Sequence, residues 1–161
     1  MCIRDSPPTI RDVARRAPIT AVDITNDGTR IAASSDQTVE IFSAESGTVL
    51  LTLGPTESRT REVAFSHDDR YLAAGQAGGV VQLWEVESGR LVAVLRGHNE
   101  LVASIAFSPD GQHMATASWD GTLRLWNLSD LHTPAEDLVT RLEDAWKTVS
   151  YTHLTLPTKC W

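Results

Sequence analysis

The sequence predicts an all-β protein built from three repeated units of four short strands. Three segments superimpose, and corresponding residues recur every 41 or 42 positions, as do Ile24, Phe65 and Phe107. Within each segment, short runs of alternating apolar and polar residues are separated by turn signals, a pattern typical of strands joined by hairpins. Because strands this short do not fold alone, the units must bury their apolar faces against one another.

The composition excludes several functional classes. The 161 residues are 42% hydrophobic and 22% charged, which is typical of a soluble globular chain. The net charge of −7 argues against a nucleic-acid binder, which needs a basic face. No apolar run approaches the roughly 20 residues of a membrane helix, and the opening MCIRDSPP lacks the apolar segment of a signal peptide. We therefore expect no nucleic-acid or membrane partner and a cytoplasmic location.

Both ends of the chain can be encoded by one short DNA element read in opposite directions. The codons ATG TGT ATA AGA GAC AG cover residues 1–6, and their reverse complement, CT GTC TCT TAT ACA CAT, encodes residues 149–153. The element resembles the transposon mosaic end of sequencing libraries. We therefore expect residues 1–6 and 148–161 to derive from an adapter, and we exclude them from the fold prediction. The alternatives are a genuine polar tail and a terminal disulfide between Cys2 and Cys160, the only cysteines.

The rest of the chain divides into a short leader and the repeats. Residues 7–17 are expected to be a linker or the end of a preceding unit; their three arginines are either solvated or a binding patch (Arg11, Arg15, Arg16). The repeats occupy residues 18–147, with units at 18–59, 60–101 and 102–147. The run LVTRLEDAWK, from Leu138, is expected to form a closing strand followed by the start of a fourth unit.

The first corner of each unit carries a recognisable turn. It is NDG at 26–28, HDD at 67–69 and SPDG at 108–111. In such turns proline presets φ, aspartate bonds to its own backbone, and glycine accepts a positive φ. The second unit has no glycine here, so HDD should fit the corner less well.

The remaining corners complete four strands in each unit. The dipeptides Gly78-Gly79 and Asp120-Gly121 are favoured in tight hairpins, and ESG recurs at 45–47 and 87–89. In the second unit these signals separate the runs VAF, YLAAG, VVQLWEV and LVAVL, which are the four expected strands.

These motifs resemble the WD40 repeat family, whose units form the blades of a β-propeller. The third unit matches best, with GH at 97–98, FSPDG at 107–111, ATASWDG at 115–121 and LRLW at 123–126. The resemblance implies a partial β-propeller of about three four-stranded blades, acting as a protein–protein interaction scaffold without catalysis or a cofactor. The first two units depart from the pattern, because Ala32 and Ala74 replace the strand hydroxyl and Gly78 replaces the turn aspartate.

The resemblance also implies a structural tetrad in the third unit, formed by His98, Thr116, Asp120 and Trp126. The chemistry is consistent, because a buried carboxylate must be paired or hydrogen-bonded. His98 can donate to Asp120 through one ring nitrogen and accept from Thr116 through the other. The same hydroxyl can accept the Trp126 indole N–H, which only donates. Such a network stabilises when complete and is costly when one member is lost.

Catalytic and metal sites are the alternatives for these residues. A Ser-His-Asp hydrolase could use Ser118 or Thr116 as nucleophile, but neither lies in a nucleophile-elbow glycine pattern. The other histidines considered are isolated and lack zinc-ligand spacing (His67, His113, His132). No glycine-rich phosphate loop is present, so we expect neither a metal nor a cofactor.

By the same resemblance, a partner would contact the face that carries the loop histidine and the turn aspartate. The corresponding residues are Leu101, Ala103 and Trp119 in the third unit and Arg59 and Arg61 in the second. Tryptophan and arginine are enriched at binding hot spots. The alternative is that Trp119 packs on a neighbouring loop and both arginines are solvated.

Two enzyme hypotheses remain open, together with an expectation about assembly. The chain could be the accessory WD40 region of a larger bacterial enzyme, such as a protein kinase or NTPase. It could also be a catalytic propeller, although only Asp23 and Glu62 lie on or beside the first strands. Since three blades leave strand edges and apolar faces open, we expect self-association.

Overall fold

The computed structural model describes residues 18–132, which form β-strands and one short 3₁₀ helix. Contacts divide the chain into Met1–Ser129, which holds every described strand, and Asp130–Trp161. The strands are β1 Ala21–Ile24, β2 Arg30–Ser35, β3 Thr38–Ser43, β4 Val49–Leu53, β5 Thr60–Phe65, β6 Tyr71–Gln76, β7 Val80–Glu85, β8 Leu91–Arg96, β9 Val102–Phe107, β10 His113–Ser118 and β11 Leu123–Asn127, and the 3₁₀ helix is Ser129–His132.

The strands form three antiparallel sheets in chain order. The first sheet is β1-β2-β3-β4, the second is β5-β6-β7-β8, and the third has the described strands β9-β10-β11. Each strand pairs with the next along the chain, as expected when every connection is a short turn. The predicted all-β fold of repeated sheets is confirmed, and the four strands predicted for the second unit are all present.

Several predictions fall outside the described residues. They concern the adapter-like ends, the Cys2–Cys160 disulfide, the leader with its arginines, and the closing strand from Leu138. The side chain of His132 is also outside the described part.

The first corner uses its aspartate as the sequence suggests. Asp27 accepts hydrogen bonds from the Thr25 hydroxyl and the Thr29 N–H, and Asp68 and Asp110 hold the equivalent corners. In the second unit Asp69 takes the left-handed conformation, with φ of 59°, where the other two units have glycine. The Asp69 carboxylate also accepts the Asn26 N–H at 2.8 Å. The aspartate that replaces glycine at this position therefore links the second sheet to the first through its carboxylate.

The turn between the second and third strands is one residue shorter in the first unit than in the other two. Ser35 pairs with Thr38 across two residues, whereas three residues separate Ser118 from Thr122. This deletion explains why one repeat spacing is 41 and the next is 42. It also corrects one assignment: Ala33, which pairs with Val22, occupies the place of Thr116, and Ala32 does not.

The second sheet lies between the other two. Its first strand, β5, is adjacent to β1 on one side and to β9 on the other. Every residue of β6 is buried, as is all of β7 except its last residue. The core between the first two sheets is apolar (Ala32, Val39, Ile41, Leu53, Val63, Phe65, Leu72, Ala74, Trp84, Val86). Burial of these side chains against one another holds the units together.

Candidate functional site

His98 lies in the loop between β8 and β9, and its ring is buried against β10. Only 6% of the residue is exposed. Its Nε2 atom is 2.7 Å from the Thr116 hydroxyl oxygen, and the Trp126 indole donates to that same oxygen at 2.9 Å. Met114 and Trp126 pair across β10 and β11. Thr116, two residues along β10 from Met114, therefore lies on the same face of the sheet as the indole. One hydroxyl therefore joins the loop, β10 and β11.

Asp120 lies at the tip of the turn between β10 and β11 and connects that turn to the histidine loop. One carboxylate oxygen, Oδ2, accepts the Asn99 N–H at 2.9 Å and lies 3.2 Å from Nδ1 of His98. The other, Oδ1, accepts both the N–H and the hydroxyl of Thr122. The Asp120 side chain is only 7% exposed, so these bonds replace most of its contact with water.

The ionisation states follow from burial and hydrogen bonding. Burial lowers the pKa of His98 and outweighs the opposing effect of Asp120. Burial also acts to raise the pKa of Asp120, but hydrogen bonds from Thr122 and the Asn99 N–H outweigh it and hold that pKa well below its usual range. Neutral His98 beside an ionised Asp120 must donate through Nδ1 and accept the Thr116 hydroxyl proton through Nε2.

Two members of this network were missed by the sequence analysis. The Thr122 oxygen lies 3.0 Å from Nδ1 of His98, and its hydroxyl donates to Asp120. Asn99 contributes only its backbone N–H. A hydroxyl residue two positions after the turn aspartate was a usable signal for Thr122, because such residues bond locally to aspartate. A backbone donor such as Asn99 leaves no mark in the residue type.

The second unit makes the same connection with different side chains. Thr56 and Gly78 occupy the places of His98 and Asp120, and Ala74 occupies that of Thr116. In their stead the buried Gln76 accepts the Ser58 N–H through Oε1 at 3.0 Å and donates to Gln82 at 2.6 Å. This uncharged pair also ties the loop before the first strand to the hairpin.

Two glycines of the second sheet allow the third sheet to approach closely. A Cβ on Gly75 would lie 2.8 Å from the Val102 side chain, and one on Gly79 would lie 2.3 Å from the His98 carbonyl oxygen. Gly79 also has a positive φ of 78°. The position of the histidine loop therefore depends on the absence of a side chain in the neighbouring unit.

The candidate partner-binding residues differ in their exposure and in their contacts with other residues. Trp119 is 72% exposed at the β10–β11 turn, and its N–H donates to the Leu101 carbonyl at 3.0 Å. Ala103 and Arg61 are exposed, and Leu101 is half-buried. Arg59, with a side chain 53% exposed, forms an ion pair with Asp36 of the first unit at 3.2 Å. Among the described residues Trp119 thus remains largely exposed, whereas Arg59 is paired with Asp36 between two units.

The residues of the alternative hydrolase site are placed as follows. The Thr116 hydroxyl is beside His98, but the residue is 1% exposed and accepts the Trp126 N–H. The Ser118 hydroxyl instead donates to the Glu100 carbonyl oxygen at 3.1 Å.

The described part of the chain also bears on the acidic residues near the first strands, on metal binding and on membrane-spanning helices. Asp23 accepts the Phe65 N–H at 2.7 Å, and burial together with the Asp23 charge raises the pKa of Glu62. Within residues 18–132, no group of three histidine, cysteine or acidic side chains is arranged to hold a metal ion. The same part of the chain contains no helix that is long and apolar enough to cross a membrane.

Comparison with known proteins identifies the repeat. The family model of the WD domain, G-beta repeat, matches three times, over residues 11–43, 47–85 and 89–127. Among solved structures, one described as "Structure of U3-55K" is similar with a TM-score of 0.70, and one described as "Crystal structure of RRP9 WD40 repeats" with 0.69. Both are 25% identical over 73% of this chain, which spans only 38% of their length. No curated protein matches the chain significantly.

Proposed function

The chain belongs to the WD40 repeat family, and from this premise we propose that it is a scaffold that binds a protein partner and performs no chemistry itself. The proposed contact surface surrounds the β10–β11 turn, with Trp119 at its centre and Leu101, Ala103 and Arg61 beside it. The His98 network lies beneath this surface and holds the turn and the preceding loop in place.

The exposure of Trp119 is the observation that carries the proposal. A tryptophan side chain that is 72% exposed leaves a large apolar area in water, and Trp is the residue type most enriched at hot spots of protein interfaces. The backbone beneath it is fixed, because its N–H bonds to Leu101 and the Asp120 N–H bonds to the Ser118 hydroxyl. A rigid aromatic loses little conformational entropy on binding, so this turn is suited to recognition.

The charges nearby favour a partner segment with an apolar side chain and a carboxylate. Arg61 lies on β5, which is adjacent to β9, and it forms no ion pair with any residue in the described part of the chain. Its guanidinium is therefore free to pair with an incoming carboxylate. Arg59 is less suited to this role, because Asp36 already neutralises it.

Burial of the His98–Thr116 pair supports a structural role for the tetrad over a hydrolytic one. A nucleophilic hydroxyl must face a cleft beside an oxyanion hole, and Thr116 is only 1% exposed. Nothing in the fold favours the accessory-region hypothesis over an independent scaffold, and sequence upstream of the chain would decide between them.

A random peptide library displayed on phage tests the binding surface without a known partner. Peptides should be selected on the wild-type chain and then measured against Trp119→Ser and Arg61→Ala. We expect selected peptides to bind Trp119→Ser at least about tenfold more weakly, because a hot-spot tryptophan contributes about 2 kcal/mol or more. Val94→Ser is the matched control, since Val94 is 37% exposed on β8, outside the proposed surface. Equal binding to wild type and Trp119→Ser by every selected peptide would contradict the proposal.

We also propose that residues 1–6 and 148–161 derive from a sequencing adapter and that the protein is a section of a longer chain. The nucleotide sequence of the reading frame tests this. The proposal predicts the inverted element ATG TGT ATA AGA GAC AG at both ends. Unrelated synonymous codons at the two ends would contradict it.

A further inference from the structure

We propose that the guanidinium of Arg124 is an anion site that binds an oxyanion of the partner, either a carboxylate or a phosphate group. Arg124 is on β11, close to the turn that carries Trp119, and the site is distinct from Arg61. The inference rests on the proposed partner binding only where it assigns the oxyanion to a partner. The site itself is argued from the contacts of Arg124.

The side chain of Arg124 points toward the loop that joins β8 to β9. Arg124 pairs with Thr116 across β10 and β11 and lies two residues before Trp126, so all three side chains are on one face of the sheet. A Cβ on Gly97 would lie 3.1 Å from Cζ and Nη1 of Arg124 and 3.3 Å from its Nε. The guanidinium therefore lies against the backbone of Gly97, in the space that a side chain would fill.

The conformation of Gly97 does not by itself require glycine. Gly79 and Gly121 have positive φ, but Gly97 is not among the glycines that do. Other residues can adopt such a backbone, so what this position uses is the missing side chain. The missing side chain gives the Arg124 guanidinium its place beside the loop.

The second unit fills the same position without a charge. Gln82 occupies the place of Arg124, and Pro55 occupies that of Gly97. Gln82 is 5% exposed and accepts a hydrogen bond from Gln76 at 2.6 Å, so its own unit satisfies it. Arg124 forms no ion pair with any residue in the described part of the chain, and its Nε is buried without an acceptor.

The folded state therefore holds the charge of Arg124 at a cost. A buried N–H without an acceptor destabilises the fold, and the cost is larger on an ionised group. Asp120, the carboxylate of the same hairpin, already accepts hydrogen bonds from Thr122 and from the Asn99 N–H. A polar group kept at a cost to stability is better explained by binding than by a structural role.

The accessible nitrogens of Arg124 fit an oxyanion. Nη1 and Nη2 have no acceptor in the described part of the chain, and unlike Nε they are not buried. Contact of the guanidinium with Gly97 orients its plane before any ligand binds. Parallel N–H groups on such a plane match the oxygens of a carboxylate or a phosphate in a bidentate pair.

Urea denaturation of the full chain in acetate or methyl phosphate, against chloride at equal ionic strength, tests the site. Binding to the folded state lowers the unfolding equilibrium constant by the factor 1 + [anion]/Kd, about tenfold at about ten times Kd. We expect this decrease in the wild type and in Arg61→Met, the matched control with another arginine removed, but not in Arg124→Met. In chloride alone, Arg124→Met should be as stable as the wild type or more stable, because it removes the unpaired donor.

The two anions identify the group on the partner. Methyl phosphate binding at least about tenfold more tightly than acetate assigns a phosphorylated segment, and acetate binding as tightly assigns an acidic side chain. Trp119→Ser should bind either anion like the wild type. Failure of the peptide selection at Trp119 would therefore leave the anion site intact, and failure of the anion site would leave the Trp119 surface intact.

Three outcomes overturn the proposal. Equal effects of both anions on the wild type and Arg124→Met would indicate general salt effects or adventitious ions only. Loss of the effect in Arg61→Met as well would indicate the charge of the whole surface. A clear loss of stability of Arg124→Met in chloride would give the guanidinium a structural role instead. If Arg124→Met does not fold, Arg124→Lys, which keeps the charge without the planar fork, replaces it and should bind about tenfold more weakly.

Discussion

The second and third units both connect the loop before their first strand to the hairpin between their second and third strands, but with different side chains. In the third unit a histidine, a carboxylate and two hydroxyls tie the loop before the first strand to the β10–β11 turn. In the second unit the pair Gln76–Gln82 connects that loop to the hairpin without a titratable group. The fold therefore requires the connection between the loop and the hairpin, and the histidine tetrad is one way to provide it.

The largest expected effect comes from the glycine that lets the third unit sit against the second. Gly79 and Gly121 both have φ of 78°, but an added Cβ meets the His98 carbonyl at 2.3 Å only at Gly79. We expect Gly79→Ala to lower the free energy of unfolding by about 3–5 kcal/mol, from strain and overpacking together. Gly121→Ala, with nothing within 4 Å, should cost only about 1–2 kcal/mol. Urea denaturation of both variants measures the difference, and equal losses would contradict the close approach.

The two polar networks should differ in their cost of disruption. Thr116→Val keeps the shape of the side chain but leaves the His98 nitrogen and the Trp126 N–H without their partner, so we expect a loss of about 2–3 kcal/mol. Gln82→Leu leaves one amide donor of Gln76 unpaired and should cost about 1–2 kcal/mol. The measurement is again urea denaturation. A Thr116→Val protein as stable as the wild type would mean that the tetrad does not support the third unit.

The pH dependence of stability should also distinguish the two units, because only the polar network of the third unit contains titratable groups. This effect should be smaller than those of the substitutions above. Because the pKa of His98 is lowered in the folded protein, its contribution to stability is present at neutral pH and is lost as the pH falls below about 6.5, the ordinary value of an unfolded histidine. The pKa of Asp120 is also lowered, so its contribution is lost only below about pH 4. His98 therefore titrates within this interval together with Glu62, whose raised pKa changes stability in the opposite direction.

Urea denaturation between pH 5 and 8 checks this assignment. His98→Gln should remove part of the fall in stability below about pH 6.5, whereas Gln82→Leu should lower stability equally at every pH. Identical pH profiles for wild type and His98→Gln would show that His98 does not titrate with folding.

These contrasts also show what the sequence could and could not predict. The strands follow from turn residues at fixed offsets, because each turn type demands particular residues at particular places. The tetrad positions follow from the resemblance to the WD40 repeat. The Gln76–Gln82 pair was not predicted, since glutamine is common on exposed strands and its burial here depends on the packing of the first sheet on that face of the second. The place of Ala33 was misassigned because a deletion in a turn shifts one strand against another without changing its pattern. The exposure of Trp119 depends on the packing of the residues around it, which the sequence does not give.

A double-mutant cycle between Thr116→Val and Trp126→Phe most directly tests the claim that one buried hydroxyl joins the strands of the third unit. With Thr116 present, Trp126→Phe removes a hydrogen bond 2.9 Å long and should cost about 1 kcal/mol or more. With valine at 116, the same change removes an indole N–H that has already lost its acceptor, so it should be nearly neutral or stabilising. We predict a coupling free energy of about 1–2 kcal/mol from urea denaturation of the four proteins. An equal cost of Trp126→Phe in both backgrounds would show that the Thr116 hydroxyl does not join β10 to β11.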